Sequence, residues 1–416
     1  MRTVVVGNRK LARHVLRQAL AGDWDVVGVV VPEGRLAKSQ ANFVPFDALV
    51  AGTDCVLHET SDINSSGTVE WLRDRDPDVC LCGGWSQIID ESVLNVPSEG
   101  FLGFHSSRLP EGRGGAPVNW ALIDGSDEVW ISLFYYDTEV DAGDVVAQGS
   151  VPVEPRDDVA TVFDALAVEA CRLLSGVYPK LAADAVRADP QSLADATYRP
   201  RRQPQDGIID WSRGPTAQYD WVRAQTDPYP GAYTFDDGTR LTVWESTPIE
   251  GSTPDMAPGT VVDIVDGAGL DVATGDGVLR LVQVQPGRSP PRWGDQYARE
   301  MNLSEGDAFG REQAPAAWLY TGIRGPKRPT AFQTNLMPGK TGAVDVVAFS
   351  GSSHDLDVSV SLDDRVLFRR SVTVAPEYRR RVEYASSEPE TRTLTVAFDR
   401  DGERVDTRHL KLFVGE

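Results

Sequence analysis

Basic residues are in the minority in this sequence of 416 residues, and lysine is rare. The chain contains 41 Lys and Arg, only six of them Lys, against 62 Asp and Glu, so its net charge is −21 at pH 7. Nonspecific nucleic-acid binding depends on basic patches that neutralise phosphates, so this composition disfavours that class of protein. One interpretation is a host with a high-salt cytoplasm, where abundant carboxylates keep the surface hydrated. The alternative is a moderately acidic protein from a GC-rich genome.

The sequence also lacks long apolar runs and has only four cysteines. No stretch approaches the roughly 20 apolar residues of a membrane helix, and the short opening at residues 1–7 predicts a first strand rather than a signal peptide. We therefore expect a cytoplasmic protein without a membrane partner. Cys55, Cys80, Cys82 and Cys171 are scattered, which favours buried free thiols over a disulfide framework or a zinc site.

The first 190 residues alternate apolar, β-branched runs with helical patterns. The predicted strands are 4–8, 25–32, 78–84, 100–105 and 130–137, and the predicted helices are 11–20, 68–75 and 160–174. This alternation predicts an α/β domain over 1–190, with a Rossmann-like, mostly parallel sheet and helices on both faces. No G-x-G-x-x-G follows the first strand, so a dinucleotide site is not indicated.

Two further domains are predicted beyond a polar linker at 199–207. Residues 200–305 contain a helical pattern at 216–224 and turn signals such as Asp237-Gly238, which together predict a small OB-like antiparallel β-barrel followed by a helical patch to about Ala316. Its predicted strands are 233–244, 259–265 and 277–284. Period-two alternation over 328–416 predicts a compact β-sandwich.

One of the five histidines stands out as a candidate for chemistry. His14 lies in a helical pattern, and His354 and His409 lie in the strand-rich tail, which favours structural roles for all three. His105 comes at the carboxyl end of a predicted strand, where open α/β sheets bind their ligands. A dense polar loop at 106–117 follows it. His105 is therefore the histidine most suited to a functional role.

Two motifs flank this position. The segment HSSRLPEGRGGAPVNW (105–120) is followed about 25 residues later by TEVDAGDVVAQ (138–148). They resemble the two signatures of the formyltransferase family: N-x-H-x-S-L-L-P followed by Y-R-G-x-x-P, and D-x-G followed by a short apolar strand. Weaker similarity at 76–89 and 198–213 extends the resemblance over residues 1 to about 300. GAPVNW and VDAGDVVAQ most resemble enzymes that formylate the UDP-linked 4-amino sugar of lipid A modification.

The resemblance implies an N-formyltransferase that uses 10-formyltetrahydrofolate as co-substrate and needs no metal. Formyl transfer passes through a tetrahedral oxyanion, so the site needs a hydrogen-bond donor to the oxyanion and an acceptor for the amine's proton. By resemblance, His105 donates a hydrogen bond to the oxyanion or shuttles the amine's proton, and Asp141 orients His105. Asp144 is an alternative carboxylate, and a capping role in a turn is an alternative for Asp141. The residues expected to bind the folate are Trp85, Ser86, Gln87, Ile88, Asp137 and Val140.

The expected acceptor is a nucleotide-linked amino sugar, and a homodimer is compatible with the sequence. A methionyl-tRNA formyltransferase would need a basic second domain to hold phosphates. Residues 201–310 contain nine Arg and no Lys against 17 Asp and Glu, a balance of −8. Arg113 offers a bidentate fork to phosphate; the alternative is that Arg113 fixes its loop and Trp120 packs. The residues expected to bind the acceptor are Arg113, Gly115, Pro117, Asn119 and Trp120.

One position departs from the family pattern. The family has an Asn two residues before the His, as an oxyanion donor, and here that position is Gly103. Loss of one such donor typically lowers the rate on the order of 10² to 10³. Three explanations are open. Ser106, Ser107, Asn119 or a bound water supplies the hydrogen bond; the acyl donor or acceptor has changed; or the protein is a weakened homologue that binds folate or sugar.

Overall fold

The chain forms two units in the computed structural model. Unit 1 comprises Met1–Val118, Asp127–Arg156 and Ala160–Thr197, and unit 2 comprises Asn119–Ser126, Asp157–Val159 and Tyr198–Glu416. The end of unit 1 falls close to the expected linker. A division of unit 2 into separate domains over 200–305 and 328–416 stays a prediction. The structure describes residues 1–22, 24–33, 45–199, 201–202, 204–251, 255–310, 319–324, 335–336, 341–350, 354–363, 365–374, 377–385, 391–400 and 402–414.

Unit 1 is built on a seven-stranded sheet. Its part of the chain contains the strands β1 (Arg2–Val6), β2 (Asp25–Pro32), β3 (Val56–Thr60), β4 (Val79–Cys82), β5 (Phe101–His105), β6 (Arg113–Gly114), β7 (Glu128–Tyr135) and β8 (Val145–Pro152). The strand order is β3-β2-β1-β4-β5-β7-β8. The first five of these strands are parallel, and β7 and β8 join antiparallel at one side. The predicted Rossmann-like, mostly parallel sheet is therefore confirmed.

Helices connect these strands. They are α1 (Lys10–Ala21), α2 (Asp47–Val50), α3 (Ser66–Arg75), α4 (Glu91–Leu94), α5 (Pro117–Ile123) and α6 (Val159–Leu181). Local chemistry sets their ends: the Ser65 hydroxyl accepts from the Thr68 N–H ahead of α3, and Pro117 occupies the first position of α5, where a missing N–H costs nothing. The strand β4, VCLC, is buried along its whole length and packs in the core with Val4 and Val6 of β1.

Most predicted elements of unit 1 appear within a few residues of their expected bounds, and apart from the two-residue β6, two strands were not predicted from periodicity. The missed strands are β3 and β8. Both contain polar or small residues among the apolar ones, which masks the periodicity that identifies a buried strand. All four cysteines are free thiols; Cys55, Cys80 and Cys82 are buried as expected, whereas Cys171 is only half-buried. None of the described helices combines the length and the apolar character that a membrane span requires.

The first part of unit 2 is an antiparallel sheet. Its strands are β10 (Ala232–Asp236), β11 (Thr239–Ile249), β12 (Val261–Val265), β13 (Gly269–Ala273), β14 (Val278–Pro286) and β15 (Arg292–Trp293), with α7 (Pro215–Arg223), α8 (Gly294–Met301) and a 3-10 turn at Pro204–Gly207. The two-residue strand β9 (Tyr198–Arg199) precedes this sheet in the chain and is not part of it, and a further 3-10 turn at Leu193–Asp195 lies in unit 1. The order is β10-β11-β14-β13-β12, and β15 pairs with β14. Asp237 and Gly238 both adopt positive φ, as a tight hairpin between β10 and β11 requires.

Two expectations for this region have different outcomes. Closure of the sheet into an OB-like barrel stays a prediction. The helical patch expected to reach Ala316 is shorter than predicted, because α8 ends at Asn302 in a left-handed C-cap. Residues 311–318 lie outside the described part of the chain.

The C-terminal region consists of two strand-rich sheets. Its strands are β16 (Leu319–Arg324), β17 (Asn335–Leu336), β18 (Thr341–Ser350), β19 (His354–Leu362), β20 (Arg365–Val374), β21 (Glu377–Ala385), β22 (Thr391–Arg400) and β23 (Glu403–Val414). One sheet has the order β16-β18-β21 and the other β17-β23-β22-β19-β20. Val358 and Val360 alternate with more exposed residues along β19, and Val396 and Phe398 are buried on β22. Two strand-rich sheets are therefore present, with period-two burial along β19, and their packing into a sandwich stays a prediction.

Candidate active site

His105 and Asp141 come together in unit 1. Nδ1 of His105 lies 3.6 Å from Oδ2 of Asp141, and Nε2 lies 2.9 Å from the Gly112 carbonyl oxygen. Both side chains are largely buried. Both ring nitrogens face oxygen atoms; in the neutral ring one nitrogen carries the N–H and the other is a proton acceptor. The pair can therefore hold a proton that His105 has taken from a substrate.

The loop after His105 is anchored by two polar side chains, the buried Ser132 and the half-buried Gln148. Ser132, on β7 opposite His105, donates to the Ser107 carbonyl at 2.6 Å and accepts from the Leu109 N–H at 3.1 Å. Gln148 of β8 donates to the Ser132 hydroxyl and to the Leu109 carbonyl. Such side-chain hydrogen bonds replace the backbone pairing that a loop lacks. They hold the loop, and with it Gly112, in position beside His105.

The D-x-G segment is placed by its own backbone. Asp141 adopts a left-handed φ of 55°, which Asp tolerates better than most residues, and its carboxylate accepts from the Gly114 N–H at 2.8 Å. A Cβ at Gly143 would collide with the Tyr135 carbonyl, so the glycine of the motif is needed for close packing. Asp144, the alternative carboxylate, has an exposed side chain. The structure thus brings Asp141, rather than Asp144, to His105.

Arg113 is engaged within unit 1. Its guanidinium donates to Oε1 of Gln191 through Nε and Nη2, at 3.1 and 2.8 Å, and lies 3.8 Å from the Glu139 carboxylate. Gln191 also donates to the Asp141 and Gly143 carbonyls. Only 2% of the Arg113 side chain is exposed. This geometry matches the alternative in which Arg113 fixes its loop, and it adds Gln191, which no sequence signal identified.

The expected folate loop is tied to a neighbouring turn. The Trp85 indole and the Ile63 N–H both donate to Oε1 of Gln87, and Gln87 donates to the Ser61 carbonyl. Ile88 is exposed, although its carbonyl accepts from the side chain of a neighbouring Asn. Of the other expected folate residues, Asp137 is exposed and accepts from Thr138, and Ser86 and Val140 are half-buried. Gly115 and Pro117 are also half-buried.

Asn119 and Trp120 belong to unit 2. The Asn119 amide donates to the Ala224 carbonyl at 2.6 Å and is buried. The guanidinium of Arg202 lies over the Trp120 ring, 5.0 Å from its centroid. Both side chains therefore have packing partners within their own unit. Their expected roles in binding the acceptor stay predictions.

Position 103 is filled by a neighbouring aromatic ring. A Cβ built on Gly103 would collide with Cε1 of Tyr136 and would lie 2.6 Å from Cζ and 2.8 Å from Cδ1. Tyr136 is not among the groups expected to replace the missing oxyanion donor, which were Ser106, Ser107, Asn119 and a bound water. The sequence carried no signal for it, because Tyr136 follows β7 and reaches Gly103 only through the pairing of β5 with β7.

Asn8 is a second residue that sequence reasoning missed. It follows the carboxyl end of β1, is 1% exposed, and has no hydrogen-bond partner for either amide atom within the described part of the chain. A buried amide without a partner carries a desolvation penalty of about 1–3 kcal/mol. A ligand at this edge of the sheet would satisfy it.

Comparisons with known proteins agree on one family. The family model described as Formyl transferase matches residues 1–177, and the model described as Formyl transferase, C-terminal domain matches residues 201–302. Methionyl-tRNA formyltransferase from Bacillus subtilis (strain 168) is 32% identical over 314 residues, which cover 74% of this chain and 98% of that protein. The Bacillus licheniformis protein of the same name is 30% identical over 316 residues, 75% of this chain and 98% of that protein.

Solved structures share the fold at low sequence identity. HypX from Aquifex aeolicus in complex with tetrahydrofolic acid superposes with a TM-score of 0.52 at 16% identity, covering 73% of this chain and 48% of HypX. The N-formyltransferase from Helicobacter canadensis, in complex with folinic acid and dTDP-3-aminofucose, gives a TM-score of 0.51 at 12% identity, covering 68% of this chain and 98% of that protein. These likenesses concern the fold alone.

Proposed function

The chain belongs to the formyl transferase family, whose members catalyse formyl transfer, and we propose that it moves a formyl group from 10-formyltetrahydrofolate to the amine of a nucleotide-linked amino sugar. Both family models and the 32% identity to a curated relative over nearly its whole length carry the family assignment. The choice of acceptor and the roles of individual residues are the proposed part.

The His105–Asp141 pair is the observation on which the proposed chemistry rests. As the amine nitrogen attacks the formyl carbon, it must lose a proton, and His105 is the group that accepts it. The carboxylate of Asp141, 3.6 Å away, stabilises the imidazolium that forms. When the bond between the formyl carbon and the folate nitrogen breaks, His105 returns the proton to that nitrogen. The formylated amine and tetrahydrofolate leave, and His105 is neutral again.

The surroundings of the pair suit a folate. Trp85 offers a half-buried aromatic surface in the loop after β4, and Asn8 offers an unpaired amide after β1. β1 and β4 are neighbours in the sheet, so their carboxyl ends lie side by side. A flat, hydrogen-bonding heterocycle needs both features. HypX and the Helicobacter canadensis protein were each solved with a folate compound, which agrees with this use of the fold.

The second unit argues for a small acceptor over tRNA. Within residues 201–310, Arg223, Arg280, Arg292 and Arg299 form ion pairs with carboxylates. Arg202, Arg213 and Arg240 lie over aromatic rings. Seven of the nine arginines are thus already engaged within the unit. Binding of tRNA would have to recruit phosphate contacts from them against a surrounding excess of carboxylates.

Formylation of methionyl-tRNA is the second candidate function. The relatives from Bacillus subtilis and Bacillus licheniformis carry that name, and the alignment spans 98% of each of them. This similarity covers the catalytic and C-terminal family models together. It weighs against the charge argument and makes a direct comparison of the two acceptors necessary.

The test is turnover of 10-formyltetrahydrofolate in high salt with a panel of dTDP- and UDP-linked amino sugars, with methionyl-tRNA in parallel. Mass spectrometry of the acceptors reports the product. We expect a formylated sugar from the wild type and none from His105→Ala. Formylmethionyl-tRNA without a formylated sugar would establish the second candidate instead. Absence of turnover with every acceptor would overturn both.

A further inference from the structure

Gly103 leaves a space on the face of β5 that carries His105, and a residue from another part of the sheet fills this space. Gly103 and His105 are two residues apart on one strand, so their side-chain directions lie on the same face of the sheet. Cys82 of β4 is the register partner of Gly103 and presents its thiol to this face as well. An oxyanion donor that replaces a side chain at position 103 must therefore lie above Gly103 and Cys82.

Tyr136 occupies this place. Its ring stands where the Cβ of any other residue at 103 would be, with Cζ 2.6 Å from the ideal Cβ position. The hydroxyl oxygen is bonded to Cζ and lies farther from the ideal Cβ position than these ring atoms, next to the space that an asparagine side chain would occupy. The ring is held by its packing against Phe134, at 5.2 Å between centroids, and by the Tyr136 N–H, which donates to the Phe101 carbonyl at 2.8 Å.

The Tyr136 hydroxyl has only a weak hydrogen-bond acceptor in its present position. It shares a hydrogen bond with the Cys82 thiol, and sulfur is a poor acceptor. Burial, together with the nearby Cys82 and Asp141, raises the pKa of Tyr136 well above its ordinary value, while Arg9 acts in the opposite direction. The phenol therefore keeps its proton at neutral pH. A developing oxyanion would be a far stronger acceptor for this O–H than the thiol is.

We propose that the Tyr136 hydroxyl donates the hydrogen bond to the tetrahedral oxyanion that an asparagine at position 103 would otherwise supply. This inference rests on the proposed formyl transfer. As the amine attacks, the carbonyl electron pair moves onto the formyl oxygen, and Tyr136 stabilises that charge without giving up its proton. When the oxyanion collapses, the bond from the formyl carbon to the folate nitrogen breaks, and Tyr136 is unchanged.

Two of the groups considered for this role, Ser107 and Asn119, are engaged elsewhere. The Ser107 hydroxyl donates to the Glu111 carbonyl at 2.6 Å. The Asn119 amide donates to the Ala224 carbonyl within unit 2. Asn8 has an unpaired buried amide, but it follows β1, two strands away from β5 in the sheet order. Asn8 is therefore the rival that the experiment must include.

The first test compares Tyr136→Phe with Tyr135→Phe. The Phe substitution at 136 keeps the ring in place above Gly103 and removes only the hydroxyl. We expect kcat to fall on the order of 10²- to 10³-fold with KM for both substrates and the melting temperature nearly unchanged. Tyr135 is the matched control because it precedes Tyr136 and its ring faces Gly100 instead. Tyr135→Phe should keep the wild-type kcat.

A second test moves the donor back to position 103. Tyr136→Ala removes both the ring and the hydroxyl, and we expect it to be as slow as Tyr136→Phe. Gly103→Asn in the Tyr136→Ala background places an amide in the vacated space, so kcat should rise above that of Tyr136→Ala alone. A merely structural role for Tyr136 predicts no such recovery. Failure of this recovery, in double-variant protein that melts like the wild type, would count against the proposal.

Hydrolysis of 10-formyltetrahydrofolate to formate and tetrahydrofolate provides a readout that needs no amine acceptor. Water attacks the same formyl carbon, so the same oxyanion forms. If Tyr136→Phe hydrolyses and transfers at the wild-type rate while His105→Ala does neither, the inference is wrong and the proposed function survives. If Asn8→Ala lowers kcat and Tyr136→Phe does not, the inference about Tyr136 is likewise wrong and the proposed function survives. If the wild type neither transfers nor hydrolyses, the proposed function itself fails and this inference with it.

Discussion

The carboxylate of Asp141 bridges two elements of the site: it lies 3.6 Å from Nδ1 of His105 and accepts the N–H of Gly114 at 2.8 Å. The D-x-G segment and the loop after β5 are thus joined through one oxygen atom, Oδ2. Because Nε2 of His105 also faces a carbonyl oxygen, the ring is held at both nitrogens. A change at Asp141 should therefore affect the orientation and the charge of His105 together.

Asp141→Asn should lower kcat for formyl transfer by a factor on the order of 10² or more, because it removes the charge that stabilises the imidazolium. Asp144→Asn is the matched control, since Asp144 lies in the same segment with an exposed side chain. Steady-state kinetics on both variants, with thermal melts to confirm folding, make the comparison. Loss of activity in Asp144→Asn alone would mean that Asp144 is the partner of His105.

Gly103→Ala should destabilise the protein by about 1–3 kcal/mol, because the added methyl group collides with the Tyr136 ring in a packed region. Chemical denaturation measures this directly. Gly176→Ala is the control: Gly176 lies inside α6 with no atom within 4 Å of its ideal Cβ position, so alanine there should stabilise by up to about 1 kcal/mol. Equal stability of both variants would show that the Tyr136 ring moves aside freely.

Arg113→Ala and Gln191→Ala should each destabilise unit 1 by about 1–3 kcal/mol, because either change removes the hydrogen bonds between the buried Arg113 guanidinium and the half-buried Gln191 amide. In a double-mutant cycle followed by denaturant unfolding, the two effects should couple by about 0.5–3 kcal/mol. KM for the nucleotide sugar is the second measurement. A selective rise in that KM for Arg113→Ala, with no loss of stability, would favour a phosphate-binding role for Arg113 instead.

Thiol titration should show a strong pH dependence. Burial raises the pKa of Cys55 to about 11 and also raises the pKa of Cys171. The thiolate is the reactive form, so alkylation of the native protein at pH 8 should be slow, and denaturation should release all four thiols. Fast alkylation of Cys55 in the native protein at pH 8 would contradict this.

The same shift should make stability fall with alkaline pH. The folded state holds the Cys55 proton more tightly than the unfolded chain, whose thiol titrates near 9.0. The free energy of unfolding should therefore decrease as the pH rises from about 9 through about 11. Cys55→Ala removes this contribution, so its unfolding free energy should depend less steeply on pH over that window. Identical slopes in the two proteins would contradict the assignment to Cys55.

The sequence alone was sufficient for the fold class and for the family. Hydrophobic periodicity is a local property, so β2 and α1 could be predicted to within a residue or so. The signatures around His105 and Asp141 are short and contiguous, and their resemblance to the family pattern was enough to pair the two residues. The strands β3 and β8 escaped because their local patterns are ambiguous, and only pairing with neighbours identifies them.

The tertiary structure decided which groups surround the pair. Gln191 reaches Arg113 across 78 positions of sequence, and no local pattern signals such a contact. Tyr136 fills the space above Gly103 because β7 runs antiparallel to β5 in one particular register, and a shift of one residue would turn that ring to the other face of the sheet. The sequence shows only that position 103 is a glycine, without a side chain. Only the packed sheet determines what takes its place.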